Sequence, residues 1–290
     1  MVLFNMVRYH NKKYPIGIPL HCDEIAGHFD ISHIAPSAAY SLHTEYSYGM
    51  RSFSSPLIAS FPEITQATQN GIPQLWHTKS WAFAFAEFIF ALCRELPAPD
   101  VIEIHPPFDD YLNSIADFIE TYKVFESKIK ERYPKTNMHL ENRCGSLYRN
   151  GKFMISTVSQ IKELCQYIET EHLALQVALD IPQLYTAHQV TPNRSQEITS
   201  LLDSLHDVRQ HIGGVHIWGK TLSGKRRIAH CGNLDTYFNY DEHLKTAFLA
   251  SLHQLFDDNQ VRNLVLEVNS QNADLLSIIQ DLESAGFTYI

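Results

Sequence analysis

The chain has 290 residues, 44% hydrophobic and 19% charged, which is enough to bury a large core and suits one large domain or two small ones. A formal net charge of −9 lacks the basic excess that a phosphate backbone demands, so composition argues against a nucleic-acid partner. Cys22, Cys93, Cys144, Cys165 and Cys231 form an odd, scattered set without a CxxC pair, which argues for a reducing, cytoplasmic setting and against a disulfide frame or a cysteine zinc site.

The opening MVLFNMVRYHNKKYP has no charged-then-apolar-then-small signal pattern, so export is not expected. Strand-length apolar runs follow near 15–20 (PIGIPL), 38–43 (AAYSLH) and 73–77 (PQLWH). WAFAFAEFIFALC at 81–93 is broken by Glu87 and followed by Arg94 and Glu95, so it predicts a buried helix and no membrane span. The next strand is VIEIH (101–105), where Pro106 and Pro107 end the run. YLNSIADFIETYKVFESKIKER (111–132) carries a helical stripe of Leu112, Ile115, Phe118, Ile119, Tyr122 and Phe125. NMHLE (137–141) precedes a helix that Thr157 is placed to cap, and ALQVALD (174–180) precedes SQEITSLLDSLHDVRQ. IGGVHI (212–217), DEHLKTAFLASLHQLFDD, NLVLEV (263–268) and a helix ending at Gly286 complete the chain.

Eight alternating strands and helices predict a single α/β domain, a closed (β/α)8 TIM barrel spanning residues 1–290. A doubly wound open sheet would carry a glycine-rich turn after its first strand, and neither GxGxxG nor GxxxxGK[ST] occurs. The catalytic end of such a barrel is where the C-terminal ends of the strands converge. Four apolar strands finish on groups that bind cations: Glu141, Asp180, His216 and Glu267. Three carboxylates and an imidazole at one point repel unless a divalent cation joins them, and their mixed oxygen and nitrogen donors suit Mn²⁺, Zn²⁺, Co²⁺ or Mg²⁺. His77 and His105 end two earlier strands and are candidates for a second metal. The segment from His216 to Phe238 also holds Lys220, Lys225, Arg226 and Arg227, a basic loop fit to grip a phosphate or carboxylate. Trp76, Phe108 and Trp218 border these positions and could wall a sugar.

The order His77, His105, Glu141, Asp180, His216, His230, Glu267 resembles the xylose-isomerase-like barrel superfamily, which includes endonuclease IV and the sugar isomerases and epimerases. The resemblance spans about residues 70–270 and is carried by short strand-end motifs. It implies that Glu141, Asp180, His216 and Glu267 are the four ligands of one metal, with Glu141 and Glu267 as the proton-transfer pair, and that the chain forms a homodimer. For the endonuclease IV branch it implies a second metal on His77 and His105. That branch builds a third site with a histidine where this chain has Gln183 and an aspartate where it has Ile228, two residues before His230. His188, five residues beyond Gln183, is the nearest histidine to stand in for the missing one as a substrate contact.

Two activities follow. The first is an isomerase or epimerase, or a lyase beginning with the same proton abstraction, acting on a small sugar or polyhydroxy compound through an enediolate. Substrate contacts are expected from His188, Trp218, Lys220 and His230. The alternative is a metal-dependent phosphodiesterase acting on abasic DNA, which His77 and His105 favour and the acidic balance and incomplete third site oppose.

Overall fold

The computed structural model describes residues 1–9, 12–26, 39–44, 56–65, 68–69, 72–94, 96–148, 151–190, 195–223 and 226–290. Residue 38 of the second expected strand, Glu95 and Lys225 lie outside this set. Eight strands form the main sheet: β1 Val2–Arg8, β2 Leu20–Ala26, β3 Tyr40–His43, β4 Val101–Ile104, β5 Asn137–Glu141, β6 Leu175–Asp180, β7 Ile212–Ile217 and β8 Val261–Leu266. Each is a neighbour of the next, and β8 pairs back onto β1 from Leu3↔Val261 to Val7↔Val265, which closes an eight-stranded parallel barrel. A short strand at Phe287–Tyr289 adds to the other side of β1. Among the described residues no helix is long and apolar enough to cross a membrane.

Two expected strands are corrected. PIGIPL is not a strand: Pro15 and Pro19 withhold backbone donors, Gly17 takes φ +106, and a turn results before β2 begins at Leu20. The first barrel strand is instead VLFNMVR, which alternates buried and part-exposed positions. PQLWH is also not a barrel strand. Ile72–Pro73 makes a two-residue antiparallel pair with Thr68–Gln69, and Trp76 adopts φ 63 just before Thr78 caps the next helix.

By internal contacts the chain divides into two compact units, Glu24–Val177 and the combination of Met1–Asp23 with Ala178–Ile290, with cuts that fall inside β2 and β6. Within Glu24–Val177 the longer helices are α1 Lys79–Leu92, α2 Ile115–Arg132 and α3 Val158–Thr170. Ser114 caps α2, and Thr157 caps α3 in a reciprocal box with Gln160. Trp76 centres an aromatic core with Trp81, Phe85, Phe118 and Phe125, ring centroids 5.0 to 5.6 Å away. The other unit carries α4 Ile181–Ala187, α5 Ser195–Asp203, α6 Glu242–Phe256 and α7 Asn272–Ser284, with Gly286 at φ +90 ending α7. There Arg262 is buried on Asp258, at 2.7 and 2.8 Å, and on the carbonyls of Arg209 and Ile212.

Candidate active site

Residues two apart on a strand share a face, so register decides which polar groups meet. In Glu24–Val177, β3 and β4 pair as Ser41↔Val101 and His43↔Glu103, and β4 and β5 pair as Glu103↔His139 and Ile104↔Leu140. One step further, His105 and Glu141 stand side by side, His105 Nε2 lying 2.7 Å from Glu141 Oε2. His43 Nε2 lies 3.2 Å from His105 Nε2, 3.4 Å from Glu103 Oε1 and 3.5 Å from Glu141 Oε2, while its Nδ1 lies 3.2 Å from Glu24 Oε1. The rings of His43 and His105 stack at 5.0 Å. Arg143 Nη1 donates to Glu141 Oε2 at 2.9 Å, and Trp76 Nε1 donates to the carbonyl of His105 at 2.7 Å.

The electrostatics follow from that arrangement. Burial opposes charge on His43, yet Glu103, Glu141 and Glu24 hold its pKa well above the ordinary imidazole value. Burial dominates at His105 and lowers it to about 4. Burial also works to raise Glu141, but Arg143 and the two imidazoles outweigh it and keep the carboxyl well below the usual range. Three donor tips of this unit, on His43, His105 and Glu141, lie close enough together to hold a cation. Ligands about 2.1 Å from a tetrahedral ion stand about 3.4 Å apart, and His43 Nε2 lies 3.2 Å from His105 Nε2 and 3.5 Å from Glu141 Oε2. Imidazole nitrogen with carboxylate oxygen is the donor set of Zn²⁺ and Mn²⁺.

His43 is thus a functional candidate that the sequence reading left unassigned, and it takes the place given to His77. The His77 ring donates from Nδ1 to the carbonyl of Gln74 at 2.6 Å, in the turn before α1, while His43, His105 and Glu141 form the ligand-type group of this unit. Trp76 and Phe108 are packing rather than a sugar wall, Phe108 lying against Phe153 at 3.9 Å between ring centroids.

In the unit containing Ala178–Ile290, β7 and β8 pair as His216↔Val265 and Ile217↔Leu266, and Glu267 N–H donates to the Ile217 carbonyl at 3.0 Å. Each Glu267 oxygen faces a different imidazole: Oε1 is 3.3 Å from His216 Nδ1 and Oε2 is 3.2 Å from His230 Nδ1. Burial works to raise the Glu267 pKa, and the two histidines overcome it and hold the carboxyl well below the usual range. Asp180 ends β6 and caps α4, its Oδ1 accepting from the Gln183 N–H at 2.9 Å. Its Oδ2 accepts from Gln183 Nε2 at 2.7 Å and from Trp218 Nε1 at 2.9 Å. Gln183, standing where the resemblance expects a histidine, therefore orients Asp180.

Trp218 stacks on His230 at 4.2 Å with an interplanar angle of 29°, and the Lys220 ammonium sits 5.2 Å from the same indole ring. A tight backbone crossing holds this pair: a Cβ on Gly219 would lie 2.4 Å from the Gly232 carbonyl carbon. His230 itself takes φ 56, with its carbonyl accepting from Asn269 N–H at 2.7 Å. His188 is the C-cap of α4, a helix of seven residues, and so its backbone stands about 12 Å along the axis from the Asp180 cap by the ordinary rise per residue.

No protein-family model and no curated protein matches the chain. Among solved structures it resembles a D-allulose 3-epimerase from Methylomonas sp. in complex with D-allulose, at 13% identity over 99% of this chain and 95% of that one, with a TM-score of 0.48. It also resembles a xylose isomerase domain protein from Alicyclobacillus acidocaldarius, at 10% identity over 98% and 99% of the two chains and a TM-score of 0.48. A probable 3-DHS dehydratase from Bacillus anthracis is similar at 15% identity over 84% and 98%, with a TM-score of 0.35.

Proposed function

We propose that the chain is a divalent-metal-dependent isomerase or epimerase, or a related lyase, acting on a small sugar-like polyhydroxy carbonyl compound within one barrel domain. Glu141, Asp180, His216 and Glu267 hold the metal, as Mn²⁺, Co²⁺, Zn²⁺ or Mg²⁺. When bound, that ion supplies a positive charge for a carbonyl and its neighbouring hydroxyl, and so favours loss of a proton from the adjacent carbon. Glu141 and Glu267 take and return the proton. Trp218, Lys220 and His230 line the approach of the substrate.

The observation that carries this reading is the state of the two glutamates. Each is buried, 2% and 4% exposed, and each is kept anionic by cationic or imidazole groups placed against its oxygens. A buried carboxylate so arranged stays ionised and ready to ligate, and would be costly to maintain as filler. The strands that carry the four groups are consecutive in the sheet order, from β5 to β8. The experiment is proton exchange: the enzyme, offered ketoses and aldoses in deuterated water, is expected to wash deuterium into the carbon beside the carbonyl. Glu267→Gln should abolish that exchange while the protein stays folded.

A second reading has its own support. His43, His105 and Glu141 form a ligand-type group by themselves, and a second cation there suits a phosphodiesterase, which needs one ion for the nucleophile and another for the leaving oxygen. Metal analysis of protein purified without chelator separates the two. One Mn²⁺ or Co²⁺ per chain supports proton transfer. Two or more Zn²⁺ per chain, with cleavage of abasic-site DNA that disappears in Glu267→Gln, would replace the first reading with the second.

A further inference from the structure

The unit containing Ala178–Ile290 has a small pocket, partly open to solvent, with a cavity volume of about 20 Å³. Tyr185 and Thr186 of α4, Lys220, Arg227, Tyr237 and Phe238 line it, and no carboxylate is among its described lining residues. Lys220 and Arg227 come from an antiparallel hairpin, Lys220–Ser223 with Arg226–Ala229, that follows Trp218 directly. The register Lys220↔Ala229 and Leu222↔Arg227 puts both cations on one face as diagonal neighbours. Such neighbours stand about 7 Å apart on the strands, close enough for two long cationic side chains to grip one anion.

The surroundings prepare that anion's place. Lys220 Nζ donates to Thr186 Oγ1 at 3.0 Å and lies 5.2 Å from the rings of both Trp218 and Tyr237, which steer the ammonium over the pocket. Tyr237 links pocket to Asp180: burial and the Asp180 charge raise its hydroxyl pKa, and Arg227 draws it down. A neutral phenol donates well to an oxyanion. Charge-assisted donors reach an oxyanion at about 2.8 Å, so one phosphate or carboxylate between the two cations spans their diagonal separation.

We propose that this pocket binds an oxyanion carried by the substrate, a phosphate or a carboxylate, on Lys220 and Arg227, so that the natural substrate is a sugar phosphate or sugar acid rather than a neutral sugar. This rests on the reading that Asp180 lies at the reacting end of the substrate.

The test is calorimetric titration of the full chain, metal-loaded and chelator-treated, with inorganic phosphate, with acetate and with chloride at matched ionic strength. Saturable binding of phosphate alone assigns a phosphate ester, and of acetate alone a carboxylate. Both oxyanions binding supports the pocket with either group. Affinity should fall about tenfold or more in Lys220→Gln and in Arg227→Gln, as expected for loss of a charged hydrogen-bond partner. It should be lost in the double variant and unchanged in Lys128→Gln, far along the chain on α2. No saturable oxyanion binding, a chloride response of equal size, or an unaltered response in the double variant overturns the proposal. Because the chelator-treated protein reports the pocket alone, oxyanion binding by a purified enzyme that holds no metal would sink the proton-transfer reading and the substrate assignment with it, and leave only the anion pocket.

Discussion

Asp180→Asn is the sharpest perturbation of the candidate site, because it changes one atom and the consequence can be counted. Asp180 is fully buried, and three donors converge on it: Gln183 N–H on Oδ1, and Gln183 Nε2 and Trp218 Nε1 on Oδ2. An amide offers one oxygen. With its nitrogen in place of Oδ2 it confronts the indole N–H, and with its nitrogen in place of Oδ1 it confronts the Gln183 N–H. Gln183 can turn its own side-chain oxygen towards the new NH₂, so that contact adapts, but in either rotamer one buried N–H loses its acceptor. A stranded buried donor costs about 1–3 kcal/mol, and losing the charge from the remaining bonds adds to it, for a total of roughly 2–4 kcal/mol.

Urea unfolding of chelator-treated protein measures this without metal linkage. At a slope of about 3 kcal/mol/M the midpoint should fall by about 1 M with the slope unchanged. Trp218→Phe removes the indole donor, so Asp180→Asn should cost less in that background, with a coupling of about 1–3 kcal/mol. A midpoint within about 0.2 M of wild type, or strict additivity of the two substitutions, would refute the assignment of these donors to Asp180.

The other predictions reach different parts of the molecule. His43→Ala and His105→Ala should each lower the affinity of any second metal by more than the roughly 10–100-fold that losing a supporting contact costs, while His77→Ala leaves metal content unchanged by elemental analysis. Equal loss in all three would restore His77 as a ligand. Gly219→Ala should destabilise by about 1–3 kcal/mol and alter the near-ultraviolet signal of Trp218, because its Cβ would meet the Gly232 carbonyl. A fully native spectrum and midpoint would show that the crossing has slack. Cys93 is fully buried, and burial raises its thiol from 9.0 to about 11. The folded chain therefore keeps a proton that the unfolded chain releases, so Cys93 removes stability as pH climbs from 9 towards 11, and Cys93→Ala should flatten that fall. Mass spectrometry after iodoacetamide at pH 8 should find Cys93 unmodified in the folded protein, and labelling there would contradict its burial.

What the sequence made legible was local. An apolar run that closes on an acid can be seen residue by residue, so Glu141 and Asp180 were found as strand ends, and Thr157 announced a helix start. Glu267 follows β8 directly, and His216 is the penultimate residue of β7. The misses were nonlocal or conformational. VLFNMVR was passed over for PIGIPL, whose apolar spacing looks like a strand until its two prolines and the positive φ of Gly17 are counted. PQLWH failed for the same reason at Trp76. His43 ends its strand as His105 does, but its value depends on the pairing His43↔Glu103 between segments nearly sixty residues apart, which no pattern along the chain displays. Glu24, Glu103 and Arg143 escaped for the same reason: each matters only through what the register sets beside it.

Under the proposed chemistry the two glutamates are not equivalent, and their neighbours say why. Glu141 is paired with a guanidinium, so one positive charge beside it persists at any pH the protein survives. Glu267 is paired with the imidazoles of His216 and His230, whose charge, unlike a guanidinium's, is not permanent. The proton affinity of Glu267 must therefore follow the charge on those rings, and a ring that gives up its proton leaves the carboxylate easier to protonate. His230 reinforces the division, since Trp218 covers one face of its ring and Trp218 is tied to Asp180. Movement of substrate against that indole would thus be felt at Glu267 through His230, and at Glu141 only through whatever both carboxylates hold in common.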